Sequence, residues 1–217
     1  MNEYDDEPVR GLPGRLPEGE SILWQGAPDW RSLARNAFHL RPIAGYFALL
    51  VLWSAALHAH AGGLAGFLPT LWLLPLAASA LGLLAAIAWL TARTTIYTIT
   101  NRRIVLRFGI ALPICINLPY AMIDSAGLRT YANGCGDLPL ALKPGQKISY
   151  LVLWPHARPW RVSRPEPMLR SIPEVDRVAQ LLGRALSATA EQAVAAAPQR
   201  PSRSSSGLDS QAATMTA

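Results

Sequence analysis

The spacing of hydrophobic and polar positions changes character along this 217-residue chain, and the changes mark its elements. Up to about residue 42 the chain is mostly polar. From Pro42 to Ala92, 51 consecutive residues contain no Asp, Glu, Lys or Arg, so all 34 charged residues fall in the other 166. A charge at the centre of a bilayer costs roughly 2.5–3.5 kcal/mol, and a run this long without one is what lipid demands. The run divides into spans over 42–61 and 69–91, each near the ~20 residues that cross the hydrocarbon. Gly62, Gly63 and Gly66 supply the turn between them, and Pro69 suits a first helical turn. Pro75 predicts a kink in the second span. Trp72 and Trp89 suit an interfacial belt, whereas Trp53 lies too deep in its span for one.

After Thr94 the period becomes two. Thr94–Thr100 is rich in β-branched residues, Asn101-Arg102 offers a turn, and Ile104, Leu106 and Phe108 alternate with Arg103, Val105 and Arg107. Residues 108–123 are uncharged but too short for a third span and broken by Pro113 and Pro119. Their alternation of Ile114, Ile116 and Leu118 predicts a strand. Further strands are expected over Ile123–Tyr131, Leu138–Leu142 and Ile148–Trp154, separated by Gly-rich or polar turns. Ser171-Ile172-Pro173-Glu174 reads as a capping box opening an amphipathic helix with Val175, Val178, Leu182 and Ala185 on its apolar face. From residue 191 the composition predicts a disordered tail. The fold expected is membrane α plus β. A two-helix transmembrane hairpin (42–92) follows an N-terminal segment (1–41). It leads into a small antiparallel barrel or sandwich (93–190) closed by the C-terminal helix.

Charge sharpens the picture. Residues 93–173 hold eleven Lys or Arg against three acids, while 1–42 hold five against seven and 174–217 four against four. The excess therefore sits just past the apolar run, where anionic headgroups or an acidic protein face would meet it. No nucleic-acid motif accompanies it. Arg31, Arg35 and Arg41 before the run, Arg93, Arg102, Arg103 and Arg107 after it, and no Lys or Arg in the connection place both termini in the cytoplasm. The acidic N-terminus has the wrong order for a signal peptide. Cys115 and Cys135 lack ligand spacing and read as small buried residues.

Candidate chemistry is sparse. The chain has four histidines and no nucleophile, metalloprotease or phosphate-loop motif, so a non-enzymatic role is expected. His58 and His60 lie near the far end of the first span. Ligation of a pigment, as in transient contact with bacteriochlorophyll, or of a transition metal is the sharp reading, and a pair of interfacial histidines the plainer one. No cofactor or metal is otherwise implied. Ala78, Gly82 and Ala86 form a small-residue stripe, for packing on the first span or on a partner helix. In the segment 153–167, Trp154, His156, Arg158, Trp160, Arg161 and Arg164 are the candidate partner-binding residues, because Trp with Arg is the pairing of binding hot spots. Its alternative is a loop packing Trp onto the barrel. Arg93, Arg102, Arg103 and Arg107 are candidates for lipid headgroups.

The residues 97–105 (YTITNRRIV) resemble the opening hairpin of bacterial pleckstrin-homology-like domains, and 17–26 (PEGESILWQG) resembles the segment that precedes the membrane part in such proteins. Together, 24–31 (WQGAPDWR), 91–95 (TARTT), the 154–161 loop and 164–170 (RPEPMLR) resemble the PuhB-type photosynthetic complex assembly proteins of purple bacteria, over roughly residues 8–190. The resemblance implies a helper that builds the reaction centre with its core light-harvesting antenna, with those subunits, lipid and a second copy of the chain as partners. A generic membrane-anchored lipid- or protein-binding module is the alternative. A membrane enzyme or transporter would need more polar residues in the spans.

Overall fold

The structure is a computed structural model, and it describes residues 11, 12, 14–59, 68–146 and 148–196. Strand β1 (Ile22–Gly26) and a short helix α1 (Trp30–Asn36) precede two long apolar helices, α2 (Leu40–Ala59) and α3 (Leu68–Thr94). Then come β2 (Ile96–Thr100), β3 (Arg103–Phe108), β4 (Ile114–Pro119), a single 3₁₀ turn, β5 (Ile123–Ala126), β6 (Arg129–Thr130) and β7 (Gly136–Leu142). Helix α4 (Tyr150–Leu153), β8 (Met168–Ile172) and helix α5 (Val175–Ala196) complete the described residues.

The strands form two antiparallel sheets. One has the order β1-β2-β3-β4; in the other β7 pairs with β5, β6 and β8. The hydrogen-bonded ladder between them is not closed into a barrel among the described residues. Alternation puts Tyr97, Ile99, Ile104, Leu106, Phe108 and Leu118 from the first sheet into one core with Leu138, Leu140, Leu169 and Ile172 from the second. Helix α5 adds Val175, Val178, Leu182 and Ala185, the apolar face read from its spacing. Val105, expected on the polar side of β3, is also buried.

The first sheet is not built solely from the chain after the apolar run. β1 is its edge strand, pairing Trp24 with Ile99 and Gly26 with Tyr97. Two clamps hold it. Arg103 donates from Nε and Nη2 to the two carboxylate oxygens of Glu20 at 2.7 and 2.9 Å. Asn101 Oδ1 accepts from Ser21 N–H while Asn101 Nδ2 donates to the Gly19 carbonyl. Burial raises the pKa of Glu20, but the bonds from Arg103 and Thr100 and the charges of Arg103 and Arg102 outweigh it, and the net shift is downward. Helix α1 follows at once. Asp29 caps it by accepting from Ser32 N–H at 2.8 Å, and Asp29 N–H donates to the Ser171 carbonyl of β8. Leu33 and Ala34 of α1 are buried, and the helix packs on α3 and β8. The segment 1–41 is thus partly a component of the domain, against the division expected.

Helices α2 and α3 are antiparallel neighbours, joined by a 2.8 Å contact between Ser54 Oγ and Thr70 Oγ1. Both are long and apolar enough to cross a membrane, and almost none of their residues are fully buried. Helix α3 is assigned without a break through Pro75. His60 and the glycines of the connection lie outside the described residues.

Four local expectations fail for identifiable reasons. Ile123–Tyr131 is two strands, parted where Gly127 N–H donates to the carbonyl of Pro139, a β7 residue with no N–H of its own. Residues 150–153 are a helix, since a short apolar run does not distinguish the two periods. The capping box does not form. Ser171 stays in β8, where its N–H donates to Asp137 Oδ1, and Glu174 lies beside Arg177 instead. Helix α5 runs past 190 to Ala196 because its Ala-rich end suits a helix. Of the cysteines, Cys135 is buried as expected and Cys115 is exposed on β4.

Candidate functional site

The loop between α4 and β8 divides its candidate residues between surface and interior. Trp160 is 97% exposed and adopts a positive φ of 64°. Trp154, which precedes Pro155 in a cis peptide, is half exposed and meets Phe38 edge-to-face at 6.2 Å. Leu151, Val152 and Val162 are exposed nearby in the chain. Arg158 and Arg161 both reach Glu166, at 2.7 and 3.0 Å, so one largely buried carboxylate holds two guanidinium groups. Arg158 N–H also donates to the Glu166 carbonyl. Arg164 is exposed.

His156 does not belong to that surface. It is fully buried against Tyr97 and Phe108. Arg170 N–H donates to the Tyr97 hydroxyl at 3.1 Å, and that hydroxyl is hydrogen-bonded to His156 Nδ1 at 2.8 Å. The other ring nitrogen, Nε2, faces Thr95 Oγ1 at 3.3 Å. The ring is neutral, its pKa pushed down to about 3 by burial and then by the charge of Arg170. Burial likewise raises the Tyr97 hydroxyl far above its usual range. These bonds join the end of α3, β2, β8 and the loop into one buried polar chain. His156 is an anchor of the loop, not a partner contact.

The four arginines expected at headgroups separate along the β2–β3 hairpin. Arg93 is in the last turn of α3, stacked over Trp89 at 5.2 Å. Arg107 is opposite Ile96, at the same end of the sheet as the α3 exit. Arg102 and Arg103 are at the other end of β2, about 17 Å of extended chain away. Arg103 is held by Glu20. Arg102 and Arg103 therefore stand apart from Arg93 and Arg107, and the four do not form one patch. The exit end instead carries the β3–β4 turn, where Ile110 and Leu112 are exposed. Gly109 starts that turn with a φ of 129°, where any side chain would strike the Leu112 carbonyl.

On the hairpin, Ala78, Gly82 and Ala86 are exposed, while Ala77 and Ala88 face inward. A side chain at Gly82 would meet nothing within 4 Å. The stripe thus faces away from α2, contrary to packing on the chain's own first span. His58 is partly buried, with Nδ1 2.7 Å from the Ser54 carbonyl. A carbonyl only accepts, so Nδ1 is the donor in that bond. Among the described residues no cluster of His, Cys, Asp or Glu could hold a metal ion.

One feature has no counterpart in the motif reading. A cleft of about 450 Å³ opens between the α1–α2 junction and the second sheet, with Phe38, Trp154, Arg129, Arg158, Asp137 and Arg170 in its walls. Its parts come from five separate stretches of chain.

The chain is similar to known proteins along most of its length. A family model described as bacterial PH domain matches residues 44–186, which takes in the hairpin as well as the sheets. A protein of Rhodobacter capsulatus, described as an uncharacterized 23.7 kDa protein in the puhA 5′ region, is 42% identical over 203 residues, 91% of this chain and 94% of its own. A solved DUF1696 family protein with a pleckstrin-homology domain from Shewanella loihica is 16% identical, with a TM-score of 0.29 over 43% of this chain and 68% of its own, too distant to argue from. Two apolar helices, two antiparallel sheets, the match over 44–186 and the 42% identical relative agree: this chain belongs to the bacterial PH domain family.

Proposed function

We propose that this chain is a non-enzymatic assembly factor for the photosynthetic reaction centre and its core light-harvesting antenna, of the PuhB type. The observation that carries the reading is the relative in the puhA 5′ region, at 42% identity over nearly the whole chain. In this reading α2 and α3 cross the cytoplasmic membrane, with both termini in the cytoplasm. Leu49, Leu52, Leu71 and Trp72 are all more than half exposed on those helices, and water would penalise so continuous an apolar surface. Ile110 and Leu112 would then touch the interface beside Arg93 and Arg107.

The contacts proposed are of two kinds. The outward stripe of Ala78, Gly82 and Ala86 offers close approach to a partner's membrane helix or to a second copy. Trp160, with Trp154, Arg158, Arg161 and Arg164, offers an aromatic and cationic contact to the cytoplasmic faces of reaction-centre and antenna subunits. Deletion of the gene in its native host tests the role. Assembled reaction centre should fall while pigment synthesis continues; normal complex levels would sink it. Crosslinking in native membranes should capture reaction-centre or antenna subunits. The second reading is a membrane-anchored lipid- or protein-binding module outside photosynthesis. The basic PH domain beside an apolar hairpin supports it, and repeated capture without photosynthetic subunits would favour it.

A further inference from the structure

Strand β1 is paired on one side alone. It ends the order β1-β2-β3-β4, and among the described residues no strand covers its outer edge. Ile22 and Leu23 on it are exposed, and an open apolar edge is the kind that recruits another chain. The register shifts between Ile22 and Trp24, and Leu23, inside that shift, lines a groove of about 590 Å³ with helix α5. The helix wall runs from Arg177 through Leu181, Arg184 and Ala185 to Ala188, about 17 Å along one face. A smaller cleft lined by Trp24, Gly26, Arg177 and Val178 continues the groove along β1. Both walls are fixed in place. Asn101 clamps Gly19 and Ser21 beside β1, and Val178, Leu182 and Ala185 seat α5 in the core.

Charge selects the occupant. Among the described residues the groove is lined by Arg102, Arg177 and Arg184 and by no acid. Glu174 reaches Arg177 at 3.5 Å, and Glu20 feels Arg102 but is bonded to Arg103. No carboxylate of the described residues bonds to Arg102 or Arg184, and both are exposed. Guanidinium groups around an apolar floor of Leu23, Leu181 and Ala188 match carboxylates interleaved with apolar side chains. Arg102 stands at the end of β2 remote from the α3 exit, which favours a soluble segment over a membrane surface. A symmetric contact with a second copy would set the same arginines against each other. We propose that the groove between β1 and α5 binds an acidic peptide segment of a partner protein. Its carboxylates meet Arg102 and Arg184, and its apolar side chains rest on Leu23, Leu181 and Ala188. The proposal does not rest on the assembly role, and no photosynthetic subunit enters its test.

The test selects short peptides from a random phage-displayed library on the full chain in uncharged detergent. The strongest binder, labelled with fluorescein, is then measured by anisotropy. Selected peptides should be enriched in Asp and Glu, and changing those acids to Asn and Gln should cost at least about tenfold in affinity. Arg102→Gln and Arg184→Gln should each weaken binding about threefold, and together about tenfold, as exposed charge pairs do. Ala188 is exposed, so Ala188→Trp should fill the groove and cost at least about tenfold while thermal unfolding stays as in wild type. Selection without acidic enrichment, or affinity unchanged by the double arginine variant or by Ala188→Trp, overturns the proposal. So does displacement of the peptide by dihexanoyl phosphatidylglycerol as effective as by unlabelled peptide, which gives the groove to lipid. A dimer that the peptide dissociates gives it to a second copy, and tighter peptide binding after removal of residues 1–10 gives it to the chain's own acidic start; either result also overturns the proposal.

Discussion

The hydroxyl of Tyr97 is 2.8 Å from Nδ1 of His156, and that bond ties the first strand after the apolar hairpin to the loop that displays Trp160. It is buried on both sides and extended by Arg170 N–H at one end and Thr95 Oγ1 at the other. Loss of one member leaves the others unsatisfied, which costs more than the bond itself contributes.

Tyr97→Phe should therefore lower stability by about 1–3 kcal/mol. The loss should not be uniform. Amide exchange should accelerate most in the 154–160 loop, and protection there equal to wild type would refute the anchoring role of His156.

Acid should weaken the fold through the same residue. His156 has its pKa lowered from 6.5 to about 3, so below 6.5 the unfolded chain takes up a proton that the folded chain refuses. Stability is full above that value and declines as pH falls through the window down to about 3, by up to about 1.4 kcal/mol per unit. Glu20, whose pKa is lowered, adds a loss of the same sign only nearer the carboxylate range. Urea unfolding between about pH 7 and about pH 5 isolates the histidine term, and His156→Gln should flatten it.

Glu20→Gln should release the edge strand. The carboxylate is nearly buried and receives both guanidinium bonds of Arg103, so the change should cost about 2–4 kcal/mol. Limited proteolysis should then cut between β1 and α1 sooner than in wild type.

Trp160→Ala should leave stability within about 0.5 kcal/mol, because the ring is 97% exposed. Capture of reaction-centre or antenna subunits from membranes should fall. Undiminished capture would remove Trp160 from the contact surface.

Gly82→Leu separates the two uses of the small-residue stripe. A Cβ added there meets nothing within 4 Å beyond the helix's own backbone, so the fold should be retained. Crosslinks from α3 to a partner helix, or to a second copy, should disappear.

Where a residue's neighbours are close in sequence, its place was legible. Ile104, Leu106 and Phe108 alternate into the core, and Val175, Val178 and Leu182 follow helical spacing into it. Ser171 misled because a local motif competed with a long-range partner. Its N–H is claimed by Asp137, 34 residues earlier, and the strand wins. β1 was missed for the same reason, since Gln25 Nε2 meets Thr98 Oγ1 across 73 residues. The loop's tryptophans were found by composition, but the burial of His156 beside exposed Trp160 depends on Tyr97 and Phe108, which no spacing within the loop reveals. Arg170 stood out least.

The pairing of β1 with β2 also imposes an order on synthesis. β1 leaves the ribosome before either apolar helix exists, and its partner is translated only after both are complete. Any bilayer that takes up α2 and α3 must be crossed an even number of times for the two strands to meet. A chain threaded once or three times would leave them on opposite faces, with Glu20 and Arg103 separated by lipid and the edge of the sheet bare. The sheet thus acts as a parity check on insertion: it completes only on chains whose two ends have come back to the same side.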